Sequence, residues 1–251
     1  MESLIHLTQI GSTNNYLREL LTKDPELPAY TIVDTHTQTS GRGQRGNSWE
    51  SKPGQNISCS ILLRPELPES VTTFDLNRVT SLALFTLLSR YIEPSQIRVK
   101  WPNDLLIGQR KIAGILTENE WLGDRLNYTI VGIGLNVKQT QFGAYHPAAT
   151  SLALEGIALP QGYEAWHHPM VQEIALLLQE EMERLTYDVK ALREEYHQYL
   201  YGYQQERAYQ LPSGERLLGT ILQVLPNGLL EIESTSRAKE LFAFKEISTL
   251  L

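Results

Sequence analysis

The sequence predicts an α+β protein made of one large mixed domain followed by a small β-barrel. Its 251 residues suffice for a domain of about 200 residues with a small companion. Over residues 1–203, strand-like runs of β-branched and apolar residues alternate with amphipathic helical stretches. After residue 203, short strand-like runs are separated by the turns Pro212-Ser213-Gly214 and Pro226-Asn227-Gly228. We therefore expect two domains, over residues 1–203 and 204–251.

Local signals predict the elements of each domain. Ser12 precedes an amphipathic stretch from residue 13 and is a typical helix N-cap. Helical periodicity also covers residues 76–91, and a long helical stretch is predicted for residues 169–200. Strands are predicted at residues 30–33, 56–63, 97–101, 105–107, 111–118, 128–137, 208–211, 217–225, 229–232 and 241–244. Gly132 and Gly134 interrupt one strand, which often marks close approach by a ligand or another backbone.

Composition argues against several classes of protein. The net charge of −7, from 22 basic and 29 acidic residues, disfavours a general nucleic-acid binder. No apolar run approaches the roughly 18 residues of a membrane span, and the N-terminal sequence is not that of a secretory signal. Cys59 is the only cysteine, which excludes an intrachain disulfide and a zinc site built on several thiolates. A cytoplasmic protein without membrane contact is expected.

The segment at residues 40–49, SGRGQRGNSW, is the most informative part of the chain. Its glycines match the G-x-G-x-x-G pattern of dinucleotide-binding folds, but Pro53 and Gly54 follow where that fold requires a helix. We interpret the segment as a mobile loop whose backbone N–H groups and two arginines bind an anion. Trp49 is suited to stack on a flat heterocycle. Taken alone, the segment would favour the simpler interpretation of an exposed basic turn with a core tryptophan.

Three further motifs follow in order along the chain. They are KWPND at residues 100–104, KIAGIL at 111–116 and GIGLN at 132–136. Each puts a polar side chain beside a tight turn or a glycine, and packing alone does not explain why all occur together. With the two loop arginines, Lys100, Arg110 and Lys111 form a local basic cluster that suits an anionic small substrate.

In these motifs the chain resembles the biotin protein ligases, the biotin–[acetyl-CoA carboxylase] ligase family. That family has a G-R-G-R-R-G-R-x-W loop, then K-W-P-N-D, K-[ILV]-[AG]-G-[IL]-L and G-x-G-[IL]-N; this chain has GRGQRGNSW, KWPND, KIAGIL and GIGLN. The resemblance is strong from about residue 5 to residue 140 and weaker beyond. It implies a class II aminoacyl-tRNA synthetase-like catalytic domain with a mixed sheet, and an SH3-like C-terminal β-barrel.

The resemblance also implies a reaction in two steps. Biotin and Mg²⁺-ATP give biotinyl-5′-AMP and pyrophosphate, and a lysine of a biotin carboxyl carrier protein then takes the biotin and releases AMP. The first step joins two anions, which repel by roughly 4 kcal/mol per unit-charge pair at about 4 Å in an effective dielectric near 20. Positive side chains must offset this repulsion. ATP and biotin are then substrates, and Mg²⁺ arrives with ATP rather than in a protein cage.

The resemblance assigns the site residues position by position. The expected catalytic residues are Lys111, Arg42, Arg45 and Asp104, of which Asp104 is a candidate to assist Mg²⁺ or to accept the proton of the incoming lysine. The residues expected to bind biotin are Ser12, Thr13, Asn14, Gln38, Arg42, Gly43, Gln44, Lys111, Gly114, Gly132 and Gly134. The residues expected to bind the nucleotide are Arg42, Arg45, Trp49, Asn103, Lys111 and Asn136.

The chain departs from the family pattern in two ways. Gln44 stands where the family usually has an arginine that helps to retain the adenylate, so we expect the intermediate to leak more readily here. Ser12 begins the site almost at the N-terminus, which leaves no room for the helix-turn-helix domain of bifunctional members. No DNA partner is therefore expected, while a monomer and a homodimer both stay open.

Two rival functions stay open. One is a lipoate or octanoate ligase of the same fold, and the other is a non-enzymatic biotin-binding or regulatory protein. Lys111 and the loop arginines favour adenylation over simple binding. Cys59 and Trp101 are expected in the core, His36 is expected to be structural, and His167-His168 is expected in a loop without a metal.

Overall fold

The computed structural model describes residues 3–235 and 238–250, and for Arg45 it describes the backbone alone. Its larger layer is a seven-stranded mixed sheet with the order β1-β2-β3-β7-β6-β5-β4. β1 and β2 pair in parallel, and the other neighbours pair antiparallel. Its strands are β1 Leu4–Ile10, β2 Ile32–Gln38, β3 Asn56–Leu63, β4 Ile97–Lys100, β5 Asp104–Ile107, β6 Arg110–Leu122 and β7 Arg125–Asn136. The α+β prediction is therefore confirmed.

Helices cover both faces of this sheet. They are α1 Thr13–Lys23, α2 Thr73–Leu88, α3 His167–Tyr187 and α4 Val189–Tyr199. α1 places Leu17 and Leu21 on one face, against Val33 and Leu62 of the sheet. α2 and α3 cover the other face and form the main apolar core with it. Within the residues that the structure describes, no helix is both long and apolar enough to cross a membrane.

The long helical stretch predicted for residues 169–200 divides into two helices. Asp188 has φ −145° and ψ 58°, outside the helical region, so α3 ends there. Its carboxylate accepts a hydrogen bond of 3.1 Å from the Ala191 N–H and caps α4. An Asp that bonds a backbone N–H three residues ahead competes with a continuous helix, which explains the break. The start of α3 also differs from the prediction, because His167 and His168 are its first residues rather than part of a loop.

Two differences concern the first strands. β1 was not predicted, and it pairs in parallel with β2. The strand predicted at residues 30–33 begins at Ile32 and continues to Gln38. Tyr30 cannot belong to it because its φ is +60°, far from extended values.

The C-terminal strands form a separate five-stranded antiparallel sheet with the order β11-β10-β9-β8-β12. They are β8 Glu206–Gln210, β9 Arg216–Val224, β10 Leu230–Ser234, β11 Lys239–Phe242 and β12 Ser248–Thr249. The four strands predicted here are confirmed with shifted ends. Among the described strands, β11 and β12 are edges that do not pair with each other, so the pairing shows an open sheet rather than a closed barrel. The domain boundary near residue 203 stays a prediction.

A buried arginine joins helix α2 to the C-terminal sheet. Arg78 of α2 is fully buried, and its guanidinium donates to the carbonyl oxygens of Val224 at 2.9 Å and Leu225 at 2.8 Å, at the end of β9. It also donates to Asp75 Oδ1 at 2.6 Å, and Asp75 accepts two further bonds from Arg193 of α4. Burial alone would raise the pKa of Asp75, but the bonds from Arg193 and the Thr72 N–H and the charge of Arg78 hold it below its usual value. Helices α2 and α4 and the C-terminal sheet therefore meet at one charged cluster.

Arg78→Met should destabilise the protein by about 2 kcal/mol or more, because the Val224 and Leu225 carbonyls would lose their donor while Asp75 stays buried. Urea unfolding measures this change. The matched control is Arg216→Met, which alters an exposed arginine of β9 and should stay within about 0.5 kcal/mol of the parent protein. Equal unfolding midpoints for the two variants would contradict the proposed link.

Candidate active site

A cavity of about 700 Å³ opens between the seven-stranded sheet, the loop at residues 42–50 and the C-terminal sheet. This volume is typical of small-molecule sites. All the predicted site residues except Arg45, whose side chain lies outside the described part of the structure, line the cavity. These are Ser12, Thr13, Asn14, Gln38, Arg42, Gly43, Gln44, Trp49, Asn103, Asp104, Lys111, Gly114, Gly132, Gly134 and Asn136. The motifs, which are spread over 125 positions of the sequence from 12 to 136, thus form one wall.

Two lysines share one carboxylate inside the cavity. Lys111 Nζ lies 2.6 Å from Asp104 Oδ1, and Lys100 Nζ lies 3.9 Å from Asp104 Oδ2. The hairpin of β5 and β6 produces this arrangement because Asp104 pairs with Gly114, beyond a register shift at Leu105 and Leu106. Burial lowers the pKa of Lys100, and the charge of Lys111 lowers it further against the opposing effect of Asp104. Two cations face one anion here, so the group attracts a further negative charge when both lysines are protonated.

The ring of Trp49 covers the glycines of the central strands. A Cβ at Gly134 would overlap this ring, and a Cβ at Gly114 would lie 3.1 Å from it and 3.3 Å from Lys111 Nζ. Lys111 Nζ stands 5.5 Å from the centre of the Trp49 ring, within cation–π range. Gly132 similarly makes room for the Asn14 side chain. The strand glycines are closely approached, but by protein side chains rather than by the ligand or backbone that the sequence predicted.

A hydrogen-bonded polar group lies at the start of α1. Gln38 Oε1 accepts from the Thr13 N–H at 3.0 Å and from the Thr13 hydroxyl at 3.2 Å. Ser60 Oγ lies 2.8 Å from Thr13 Oγ1 and 2.5 Å from Asn14 Oδ1. Ser12 occupies the N-cap position as predicted, but its side chain makes no capping bond within the described structure. This end of the cavity therefore carries uncharged donors and acceptors, which suit a neutral polar ligand group.

Glu118 does not line the cavity but pairs with residues that do, and sequence reasoning missed it. It accepts a 2.7 Å bond from Asn14 Nδ2 and pairs with Arg18 at 2.8 Å and with Arg42 at 3.0 Å. Burial opposes its ionisation, but the Asn14 bond and the two arginines hold its pKa below the usual value. An acidic residue near the end of a strand is usually solvated, and no local signal links Glu118 to a loop 76 residues away. The contact places the Arg42 guanidinium beside α1.

Segments outside the motifs complete the cavity wall. Glu50 accepts bonds from the Tyr145 hydroxyl at 2.7 Å and the Gly143 N–H at 3.2 Å, which joins the loop after Trp49 to residues 142–149. The Tyr145 bond is the main cause of the lowered pKa of Glu50. The C-terminal sheet contributes Leu230, Phe244, Lys245, Ile247, Ser248 and Thr249. Sequence analysis did not identify these residues because they belong to loops and to a second sheet.

The structure also tests the predictions made for Arg110, Cys59 and Trp101. Arg110 does not line the cavity and pairs with Glu155 at 2.9 Å, so its predicted place among the cations that face a substrate is wrong. The side chains of β6 alternate between faces, which separates Arg110 from Lys111. Cys59 is buried as expected. Trp101 packs in the apolar cluster that includes the C-terminal sheet and donates to the Gly228 carbonyl at 2.9 Å, which confirms its core role although one edge borders the cavity.

Two polar side chains of the cavity are held by backbone carbonyls. Asn103 Nδ2 donates to Ile115 at 2.8 Å, and Asn136 Nδ2 donates to Thr150 at 2.9 Å. Asn136 Oδ1 is buried and accepts no hydrogen bond within the described structure. A buried amide oxygen in this position is available to a ligand donor.

Gly134→Ala should expel the ring of Trp49 from the sheet, because the added Cβ would occupy the same space. The fluorescence of Trp49 is obtained by subtracting the emission spectrum of the same protein with the additional change Trp49→Phe. We expect this emission to shift to the red in Gly134→Ala as the ring meets water. Gly11→Ala is the matched control, since nothing lies within 4 Å of a Cβ at that position. An unchanged Trp49 emission would show that the position of the ring over the sheet does not depend on Gly134.

Comparison with known proteins adds a family relationship. Residues 7–136 match the model of the biotin/lipoate A/B protein ligase family. The bifunctional ligase/repressor BirA of Bacillus subtilis is 36% identical over 140 residues, which are 55% of this chain and 41% of that protein. The biotin–[acetyl-CoA-carboxylase] ligase of Paracoccus denitrificans is 35% identical over 146 residues, which are 57% of this chain and 59% of that protein. The chain thus spans about half the length of the curated relatives that it matches.

A solved structure extends the likeness of fold to the whole chain. The biotin protein ligase from Aquifex aeolicus, in complex with biotin and ATP, matches with a TM-score of 0.75 at 22% identity and covers 100% of this chain and 99% of that one. At this identity the match shows a common fold, including the C-terminal sheet. Because the family model matches more than half of the residues and includes the four motifs that line the cavity, the chain belongs to the biotin/lipoate A/B protein ligase family.

Proposed function

We propose that this chain is an ATP-dependent biotin protein ligase that forms biotinyl-5′-AMP and transfers the biotin to a lysine of a carrier domain. The observation that carries the proposal is the pair of lysines around Asp104, beside an aromatic ring and an uncharged polar pocket in one cavity. The relative from Paracoccus is named a biotin–[acetyl-CoA-carboxylase] ligase. Its name supports a biotin carboxyl carrier protein as the partner.

The polar end of the cavity suits the ureido ring of biotin. That ring offers N–H donors and one carbonyl acceptor, and hydroxyl and amide groups of Ser12, Thr13 and Gln38 can satisfy both kinds. Asn14 helps to orient them through Ser60. The biotin tail would run past Gly132 and Gly134 toward Lys111, which requires the Trp49 ring to move from its place over Gly134. Gly43 and Gln44 of the loop border the same cavity and would close over the tail.

The charged end suits the reacting groups. Lys111 would bind the biotin carboxylate and the α-phosphate together and offset their repulsion, and this stabilises the charge that develops at phosphorus. Arg42 and Arg45 are proposed to bind the phosphates, which for Arg42 means exchanging Glu118 for a more highly charged anion. Trp49 and Asn136 would contact the adenine, with Asn103 beside them. Pyrophosphate leaves as the phosphoanhydride bond breaks.

Asp104 fits an accessory role toward Mg²⁺ rather than a metal cage. Its carboxylate already pairs with two lysines, so it can offer Mg²⁺ at most one oxygen. The other ligands of the ion must come from the phosphates of ATP and from water. In the second step the same carboxylate would accept the proton of the incoming lysine. The lysine nitrogen then attacks the biotinyl carbonyl and AMP leaves.

A single assay separates this function from its rivals. Purified protein is incubated with ATP, Mg²⁺, a carrier domain, and biotin, lipoate or octanoate in separate reactions, and the carrier is analysed by intact-mass spectrometry. The expected result is the mass of biotin added to the carrier, with little lipoate or octanoate. Acylation only by lipoate or octanoate would identify a different ligase, and biotin binding without carrier modification would identify a binding protein.

Lys111→Met should lower the rate of biotinyl-5′-AMP formation by roughly 100-fold or more, because it removes the charge that balances the two anions. Release of pyrophosphate in single-turnover reactions measures this rate. Arg110→Met is the matched control, since it removes the adjacent positive charge, which lies outside the cavity. Comparable rates in the two variants would remove Lys111 from the centre of the mechanism.

Gln44→Arg should slow the release of biotinyl-5′-AMP by about tenfold, because a charge-assisted hydrogen bond to the phosphate would replace a neutral one. The preformed labelled intermediate is followed as it leaves the protein in the absence of carrier. Gln44→Met controls for side-chain size and should not slow release. Equal release rates from the parent protein and Gln44→Arg would reject the idea that this position governs retention.

A further inference from the structure

A second cluster of polar side chains lies away from the cavity, where β1 and β2 meet the start of α3. It comprises His6, Asp34, His167 and His168, and one potential ligand atom of each lies within 4.8 Å of those of the others. His6 and Asp34 are paired by register in the parallel strands. None of these side chains lines the cavity described above. The proposed ligase reaction therefore leaves the cluster without a role.

Asp34 is the centre of the cluster. Its carboxylate is fully buried and lies 3.1 Å from His6 Nδ1 through each oxygen, and 3.2 Å from His167 Nδ1. Charged carboxylates are rarely buried unless a cation, a metal or several donors face them. Within the described residues, the groups that face Asp34 most closely are imidazoles. A neutral imidazole balances only part of such a charge.

Three ring nitrogens in the cluster make no hydrogen bond within the described structure. The side chain of His167 is fully buried, and neither ring nitrogen makes a hydrogen bond within the described structure, although Nδ1 lies close to Asp34. His168 Nε2 is also buried without a partner. The other nitrogen, His168 Nδ1, lies 2.8 Å from Glu164 Oε2. A histidine with one nitrogen bound by a carboxylate and the other unpartnered has the form of a metal ligand with its orienting group.

The donor set matches one class of ion. Three imidazole nitrogens and a carboxylate oxygen are ligands typical of zinc, whereas Mg²⁺ and Ca²⁺ prefer oxygen alone. Tetrahedral bonds of about 2.0–2.1 Å place neighbouring ligand atoms roughly 3.3 Å apart. The distances from Asp34 to His6 and His167 are already 3.1–3.2 Å. All four ligand atoms lie within 4.8 Å of one another, so zinc binding would draw His6 and His168, the partly exposed members, closer to Asp34.

We propose that His6, Asp34, His167 and His168 bind one zinc ion, with Glu164 as the positioning residue for His168. The ion neutralises the buried carboxylate and satisfies the unpartnered nitrogens. It also joins two strands of the sheet to α3, whose first residues supply two of the ligands. The simpler state, a hydrogen-bonded cluster without metal, leaves His167 unsatisfied in the interior.

Zinc binding is tested on the full chain without a histidine tag. The protein is stripped with a chelator, dialysed against zinc and analysed by elemental mass spectrometry, and a chromogenic chelator then measures the affinity by competition. Stoichiometric binding of one ion per chain is expected. Cobalt should give the strong visible absorption of a four-coordinate site with nitrogen ligands. Absence of stoichiometric zinc in the folded parent protein would overturn the proposal.

Variants locate the ion. His6→Gln and His168→Gln alter partly exposed positions, and each should abolish stoichiometric binding and the cobalt spectrum. Glu164→Gln should retain the ion with an affinity about tenfold weaker. His146→Gln is the matched control because it removes an exposed histidine outside the cluster. Unchanged zinc affinity in His6→Gln and His168→Gln, or equal loss in His146→Gln, would place the ion elsewhere and refute the site.

Discussion

The attachment of the C-terminal sheet to helices α2 and α4 centres on a buried guanidinium. Arg78 joins α2 to the carbonyl groups at the end of β9 and shares Asp75 with Arg193 of α4. The guanidinium also lies 4.6 Å from the centre of the Phe74 ring, and Gly228 beyond β9 approaches that ring closely. Trp101 also donates to the Gly228 carbonyl, His197 accepts from the Val224 N–H, and an apolar cluster packs between the two parts of the chain. Together these contacts hold residues 244, 245 and 247–249 at the border of the cavity.

Three cations that line the cavity are paired with carboxylates of the same chain. Lys111 and Lys100 face Asp104, and Arg42 faces Glu118. These pairs allow cations to concentrate in a chain of net charge −7 without leaving them uncompensated in a partly dry cavity. An entering anion must therefore compete with a carboxylate for each cation. A polyphosphate competes well because it carries several charges, whereas a lone carboxylate competes on nearly equal terms, and this difference favours the adenylating reaction over simple binding.

Local sequence patterns predicted most of the cavity because its residues lie beside glycines and tight turns. KWPND and KIAGIL belong to one hairpin, so Asp104 and Lys111 are brought together by a short connection. Glu118, Ser60 and Glu50 could not be found this way, because each acts through a partner distant in sequence. The break at Asp188 was missed because helical periodicity continues on both sides of it. Arg110 was misplaced because a strand turns neighbouring side chains to opposite faces.

The histidine cluster and the cavity are connected through β2. Asp34 and Gln38 are four residues apart on the same strand face, a separation of roughly 13 Å at about 3.3 Å per residue. A zinc ion at Asp34 is therefore too distant to touch a ligand held by Gln38 and Thr13, and its role has to be structural. The ion would tie β2 to β1 and α3 and so limit the motion of β2. Gln38, at the end of β2, accepts a hydrogen bond from the Thr13 N–H at the start of α1. The order of the proposed biotin-binding end would then depend on a group that contacts no substrate.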